Sequence, residues 1–309
     1  MNTDDSWKLA VRADVLRLRA RIIRAVRHFF VKRHFLEVET PVRIPALAPE
    51  SHIRPVPSDG WFLQTSPELC MKRLLAADYP RIFQICKCFR AAERGDRHLP
   101  EFTMLEWYRA GTDYRTLMSD CESLILDVAA DLGFDKTIPR QDRTIRLEPP
   151  WERITVREAF KRYATMTETD ALRMDRFDEI LSCDIESRLG VEEPLFLYEY
   201  PAELGSLARV KADDPGVAER FELYVAGLEL ANAFSELTDM NEQRRRFEQA
   251  VSECAFRDGL SYPMPEPFLS ALPRMPPSAG IALGLDRLVM LFADKSRIEE
   301  VVAFPPESL

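Results

Sequence analysis

Val15, Leu18, Ile22, Val26 and Phe29 recur at steps of three and four, the apolar stripe of an amphipathic helix over residues 12–33. Residues 35–40 then alternate as a strand would and stop at Pro41. Pro45, Pro49, Pro55 and Pro57 predict an extended loop over 43–59. A short strand is expected at 61–65. Ser66 then caps a helix with Pro67 in its first position and Glu68 in its first turn, running through Met71 and Leu75. The apolar run 82–86 reads as a buried strand and 101–108 as its return, joined by a polar loop from Arg90 to His98.

Beyond this hairpin, Asp113 caps a helix with Leu117, Cys121, Leu124, Val128 and Leu132 on one face, and Gly133 closes it. Residues 134–152 are polar and proline-bearing, and predict a surface excursion. Thr155 and Glu158 fit a capping box, and 170–190 reads as charged helix. Strands are expected at 195–200, at 218–237 as a pair turning near Gly227, and at 280–284. A helix over 241–257 ends at Gly259, a proline-rich loop fills 262–277, and a final helix covers 286–292. Strands joined by hairpins with helices between them indicate an α+β fold, an antiparallel sheet flanked by helices. With no break in composition, residues 1–309 are expected to form one domain.

Composition narrows the function class. At 46% hydrophobic and 30% charged, the chain holds enough apolar material for a sizeable core. No apolar run approaches the roughly 18 residues of a membrane span, and the start MNTDDSWKLA lacks a secretory pattern. A cytoplasmic protein with no membrane partner is therefore expected. The six cysteines are scattered and read as reduced thiols; Cys86 and Cys88 lack the second ligand pair that a zinc site needs. A net charge of −9 argues against a general nucleic-acid coat. From Lys8 to Arg33, however, the basic residues meet a lone acid, Asp14, which fits either a docking face for an acidic partner or a solvated helix face. Neither G-x-G-x-x-G nor G-x-x-x-x-G-K-S/T occurs, so the Rossmann and P-loop ways of holding a nucleotide are not used.

Four clusters carry candidate chemistry. In the hairpin, Arg90 offers a fork of donors to phosphate and an aromatic on the returning strand can stack on a base; a solvated hairpin tip fits the same residues. Glu222, Glu229 and Glu236 fall seven apart, with Asn232 between the last two. Acids on adjoining strands suit Mg²⁺ beside a triphosphate, or an ammonium group, or solvent. Glu68 at a helix start either compensates the dipole or receives an amine. Gly280, Ala282 and Gly284 let a ligand approach the backbone, and Arg287 follows at a helix start as a phosphate donor or as an ordinary surface arginine.

In this order the set resembles the class II aminoacyl-tRNA synthetases, lysyl branch, from about residue 12 to Ala303. Residues 35–42 resemble the family's first motif, which builds a dimer interface, 89–108 the second and 280–287 the third. The phrases PEFTMLEWYR, GLELANAFSELTD and GIALGLDRLVML are most similar to the stand-alone lysyl-synthetase paralogs that attach (R)-β-lysine to elongation factor P. The resemblance implies an ATP-dependent, AMP-forming ligase, a homodimer, with ATP and Mg²⁺ as cofactors, (R)-β-lysine as substrate and elongation factor P as the protein acceptor. Arg90 and Arg287 would be catalytic. Arg90, Glu93, His98, Glu101, Phe102, Glu229 and Arg287 would bind ATP, with Phe102 on the adenine and Arg90 on the α-phosphate. Ser66, Glu68, Glu106, Tyr108, Asn232, Glu236 and Ala282 would line the amino-acid pocket, and Glu222 and Glu229 would hold the metal.

Three carboxylates, Glu68, Glu106 and Glu236, suit a diammonium substrate, because an unpaired buried charge costs several kcal/mol. No general base stands out in the set, since the substrate carboxylate is itself the nucleophile on ATP, and catalysis is expected from positioning and charge stabilisation. The first catalytic helix begins almost at the start, so no anticodon-binding domain is expected, and tRNA is an unlikely partner. Ala282 stands where lysyl-tRNA synthetases have glycine, a methyl-scale bias toward a shifted amino group worth about 1–3 kcal/mol. Three other departures are Ala92 in the place of the acid, with Glu93 next to it, Leu99 where asparagine is usual, and Ala233 where glycine is usual.

Overall fold

The computed structural model describes residues 10–50, 53–258 and 262–309. Helix α1 (Ala13–Lys32) buries Ile22, Val26 and Phe29 of the stripe read from the sequence, with Phe30 beside them, while Val15 and Leu18 are half-buried. Its arginines are largely tied to their own chain: Arg19 pairs with Asp286, Arg27 with Glu37 and Arg33 with Asp127, while Arg12 and Arg21 donate to backbone carbonyls. That stripe therefore favours the solvated, self-paired face over a docking face; Lys8 lies outside the described residues.

Strand β1 (Leu36–Glu37) is shorter than its alternation predicts, because only Leu36 and Glu37 find parallel partners, Ile82 and Phe83. The proline-rich segment is not wholly irregular. Its ends form β2 (Arg43–Ile44) and β3 (Val56–Ser58), which flank β4 (Trp61–Leu63) in a small antiparallel sheet. Prolines are accepted in such short strands, whose free edges need no donor. Helix α2 (Glu68–Leu75) follows, with Ser66 Oγ accepting from the Glu68 amide at 3.0 Å.

Strands β5 (Arg81–Phe89) and β6 (Glu101–Ala110) form the hairpin. Helix α3 (Tyr114–Leu132) is capped by Asp113 and closed by Gly133 at φ 87°, as expected. Residues 134–152 are not a polar excursion. Strands β7 (Thr137–Arg140) and β8 (Arg143–Arg146) form a hairpin whose Ile138 and Ile145, with Leu147 and Trp151, are buried in the main core. Sparse apolar residues among charges hid that packing.

Strand β9 (Glu152–Thr155) leads through the Thr155–Glu158 capping box into α4 (Val156–Tyr163). The charged stretch breaks into α5 (Glu168–Arg173), α6 (Phe177–Ile180) and tighter or wider turns, packed on their own small core. Strands β10 (Leu195–Pro201), β11 (Val217–Val225) and β12 (Leu228–Ser235) follow, the last two turning at Ala226 and Gly227, both with positive φ. Helix α7 (Met240–Asp258) comes next; its expected stop, Gly259, lies outside the described residues. The proline-rich loop contains the short helix α8 (Glu266–Leu269), then β13 (Ser278–Gly284) and α9 (Leu285–Phe292) close the site region.

Eight strands form the main sheet in the order β1-β5-β6-β13-β12-β11-β10-β9. Its middle is antiparallel and its two outermost pairs, β1 with β5 and β9 with β10, are parallel. Strand period two divides the faces. Leu105, Trp107, Ile281, Leu283, Ala231 and Ala233 face a core shared with α1, α3 and α9. The alternate residues face a cavity. All six cysteines are free thiols, and no helix among the described residues is long and apolar enough to cross a membrane.

Candidate active site

Antiparallel register sets side chains from five strands in rows across the open face. Glu222, Asn232, Ala282, Glu106 and Gln84 form one row, and Arg220, Phe234, Gly280 and Tyr108 the next. Small residues on β13 make the centre of this floor low. A Cβ on Gly280 would sit 2.2 Å from the Tyr108 ring and 2.4 Å from a Glu236 carboxylate oxygen, so only glycine fits. Above the floor lies a cavity of about 310 Å³. Of the predicted site residues, Ser66, Glu68, Arg90, Glu93, His98, Phe102, Glu106, Tyr108, Glu229, Asn232, Ala282 and Arg287 line it.

One end is cationic. Arg90 leaves the end of β5, held by its amide donating to the Pro100 carbonyl at 2.9 Å. Its guanidinium lies 5.1 Å from the Phe102 ring centroid, and its buried Nε has no hydrogen-bond partner. Glu93 stands 3.8 Å from it. Ala92 takes φ 64° between them, so the left-handed turn returns the shifted acid to the arginine. Arg287 donates to the Glu229 carboxylate at 3.0 Å and to its carbonyl at 2.8 Å, and meets His98 Nε2 at 2.7 Å. Burial, and then the Arg287 charge, lower the His98 pKa from its ordinary value. The neutral ring then accepts that hydrogen bond.

The other end is acidic and buried. Glu106 accepts from the Ser66 hydroxyl at 2.8 Å and from the Tyr108 hydroxyl at 2.6 Å. Burial, with Glu68 close by, pushes its carboxyl up to about 8. Glu236 is wholly buried and also raised to about 8, by burial first, against the opposing Lys72 charge. Lys72, which sequence reading missed, is 1% exposed and pairs with both Glu68, at 2.6 Å, and Glu236. Its place one turn after Glu68, in a Glu-x-x-x-Lys spacing, was the available signal. Three carboxylates against one ammonium leave this end two negative charges when ionised. The Asn232 side-chain oxygen is buried there without a partner.

Three predicted residues stand apart. Glu101 is exposed at the start of β6 and pairs with Lys87 at 3.2 Å, outside the cavity. Glu236 backs the pocket through Lys72 and Gly280 without lining it. Glu222 lies in the adjoining groove, accepting from Arg220 and from Tyr224, each at 2.7 Å. Its carboxyl is raised by burial and by Glu229, and that of nearby Glu186 to about 7. No group of three or more metal-ligating side chains is found among the described residues. Of the departures, Leu99 is buried and walls the cavity, whereas Ala233 faces the helices and leaves the pocket untouched. Glu50, Arg97 and Arg220 also line the cavity; Glu50 sits in the proline-rich segment, where no pattern marked it.

Residues 7–308 match the family described as tRNA synthetases class II (D, K and N). The chain is 39% identical to the elongation factor P–(R)-β-lysine ligase of Pectobacterium carotovorum subsp. carotovorum (strain PC1), over 99% of each chain. It is 38% identical to the ligases of that name from Salmonella arizonae, over 98% of each, and Proteus mirabilis, over 97% of each.

Proposed function

The chain belongs to the class II tRNA synthetases of the D, K and N type, and on that basis we propose that it is an ATP-dependent ligase. It activates (R)-β-lysine as the adenylate and transfers it to a lysine side chain of elongation factor P. The observation that carries this reading is the cavity with a buried end of three carboxyls against one ammonium, beside two arginines and an aromatic face. A diamino acid enters with its ammonium groups toward Glu68 and Glu106, which Glu236 backs through Lys72, and its carboxylate toward Arg90. Phe102 offers its ring to adenine, while His98 and Arg287 hold the outer phosphates. The substrate carboxylate oxygen attacks the α-phosphorus, the bond to the β-phosphate oxygen breaks, and pyrophosphate leaves. Arg287, already held by Glu229 and His98, and Arg90 across the cavity stabilise the charge that develops.

The acids on β11 and β12 fit Mg²⁺. Glu222 and Glu229 repel one another, and Glu229 has an oxygen with no partner among the described residues beyond the one facing Arg287. When bound there, the ion would supply shielding of the triphosphate charge.

Incubation with ATP, Mg²⁺, (R)-β-lysine and elongation factor P is expected to add one β-lysyl mass to the factor, read by intact mass spectrometry. An unmodified factor, with pyrophosphate exchange only on α-lysine, would overturn the assignment.

A further inference from the structure

A second, more open space of about 1020 Å³ adjoins the cavity. Glu50, Ile53, Ser206, Arg220 and Glu229 line both, so they frame a doorway between them. Around the groove beyond, acidic side chains outnumber arginines eight to three, which suits the approach of a lysine side chain rather than an anion. Two buried nitrogens here lack partners, the Nε atoms of Arg90 and Arg220. A buried unpaired donor of this kind marks room for a ligand.

An acceptor lysine arrives as an ammonium ion and has no lone pair with which to attack. Transfer therefore needs a base that adenylation does not. Most acids of the site are engaged: Glu68 by Lys72, Glu106 by Ser66 and Tyr108, Glu222 by Arg220 and Tyr224, and Glu229 by Arg287 through one oxygen, the other facing the metal position. His98 is held against Arg287 and does not line the groove. The Glu50 carboxylate has no hydrogen bond or ion pair among the described residues.

Building on the ligase reading, we propose that Glu50 is the general base for the acceptor amine as it passes from the groove into the cavity. Glu50 takes a proton from the ammonium. The freed nitrogen attacks the carbonyl carbon of the aminoacyl adenylate, the C–N bond forms, the C–O bond to the phosphate breaks, and AMP leaves. As the tetrahedral intermediate collapses the second amine proton passes to the departing phosphate oxygen, and Glu50 gives its own to solvent. Burial first, then Glu68, push the Glu50 carboxyl up to about 7, against the nearby charges of Arg90, Arg220 and Lys72. A base with that affinity is half-ionised near neutrality and exchanges protons readily.

The test compares the full-length protein with Glu50→Gln and Glu50→Asp, measuring pyrophosphate exchange with (R)-β-lysine and single-turnover transfer to elongation factor P. For Glu50→Gln the ratio of transfer to exchange is expected to fall by about 10²–10⁴-fold. The rise of transfer through neutral pH should vanish, and Glu50→Asp should recover part of both. Hydroxylamine, an acceptor already neutral at neutral pH, should be acylated by Glu50→Gln at the wild-type ratio. An unchanged ratio with elongation factor P, or an equal loss of exchange and transfer, would overturn the role; the second result would make Glu50 an amino-acid contact. A wild-type protein that leaves the factor unmodified fails at the ligase reading instead, before any variant is compared.

Discussion

Gly280 shows how tightly single residues set this site. Its missing side chain is the space taken by the Tyr108 ring and the Glu236 carboxylate. Gly280→Ala must therefore displace a buried aromatic or a buried charge, and overpacking of that kind costs about 1–3 kcal/mol. A fall of that size in denaturant unfolding is expected, together with a raised KM for the amino acid in pyrophosphate exchange. Unchanged stability and KM would show that Tyr108 moves freely. Ala282, on the same strand, faces Asn232 and Glu106 across the register. Glycine at 280 was legible as room for a ligand to approach the strand. What approaches it is the protein's own Tyr108 and Glu236, a contact that depends on register, and register does not appear in a local pattern.

At the scale of elements, period and capping carried most of the reading. The α1 stripe, the Asp113 and Thr155 caps and the β11–β12 turn depend on neighbours a few residues apart, so local chemistry marks them. Trp151 and the β7–β8 hairpin were misjudged because their burial comes from distant elements, and Glu50 was invisible for the same reason. The residues brought together as the site were recovered mainly through the family resemblance, since spacing alone left a bland alternative at each cluster. Strand β1 raises a further matter. It is the edge of the main sheet, yet Leu36 and Val42 beside it are 49% and 40% exposed, and Val31 on α1 is 60% exposed. A sheet edge flanked by apolar side chains invites pairing with another chain. Sedimentation is expected to give twice the 35.6 kDa chain mass, and Leu36→Lys to shift the species toward monomer. A wild-type monomer at micromolar concentration would refute this.

Across the whole molecule, the buried acids couple stability to pH in a direction opposite to that of paired surface carboxylates. Glu106 and Glu236 are raised from 4.5 to about 8 in the folded chain. The folded state therefore holds more protons than the unfolded state between those values. Stability from these groups is complete below about 4.5 and is lost as pH rises through about 8. His98, lowered by burial, acts oppositely, but its contribution is complete once pH exceeds the ordinary value of 6.5. Above neutrality the acids alone decide the trend, and the melting temperature of the ligand-free protein should fall as pH rises toward about 8. A diammonium ligand binds the ionised acids and reverses that loss, because binding to the folded state alone stabilises it. The gain in melting temperature from (R)-β-lysine should grow over the same interval, with protons released on binding. Calorimetry at several pH values, with and without the amino acid, measures both slopes. A ligand-induced gain that does not change with pH would mean that the substrate amines are held by something other than these carboxylates.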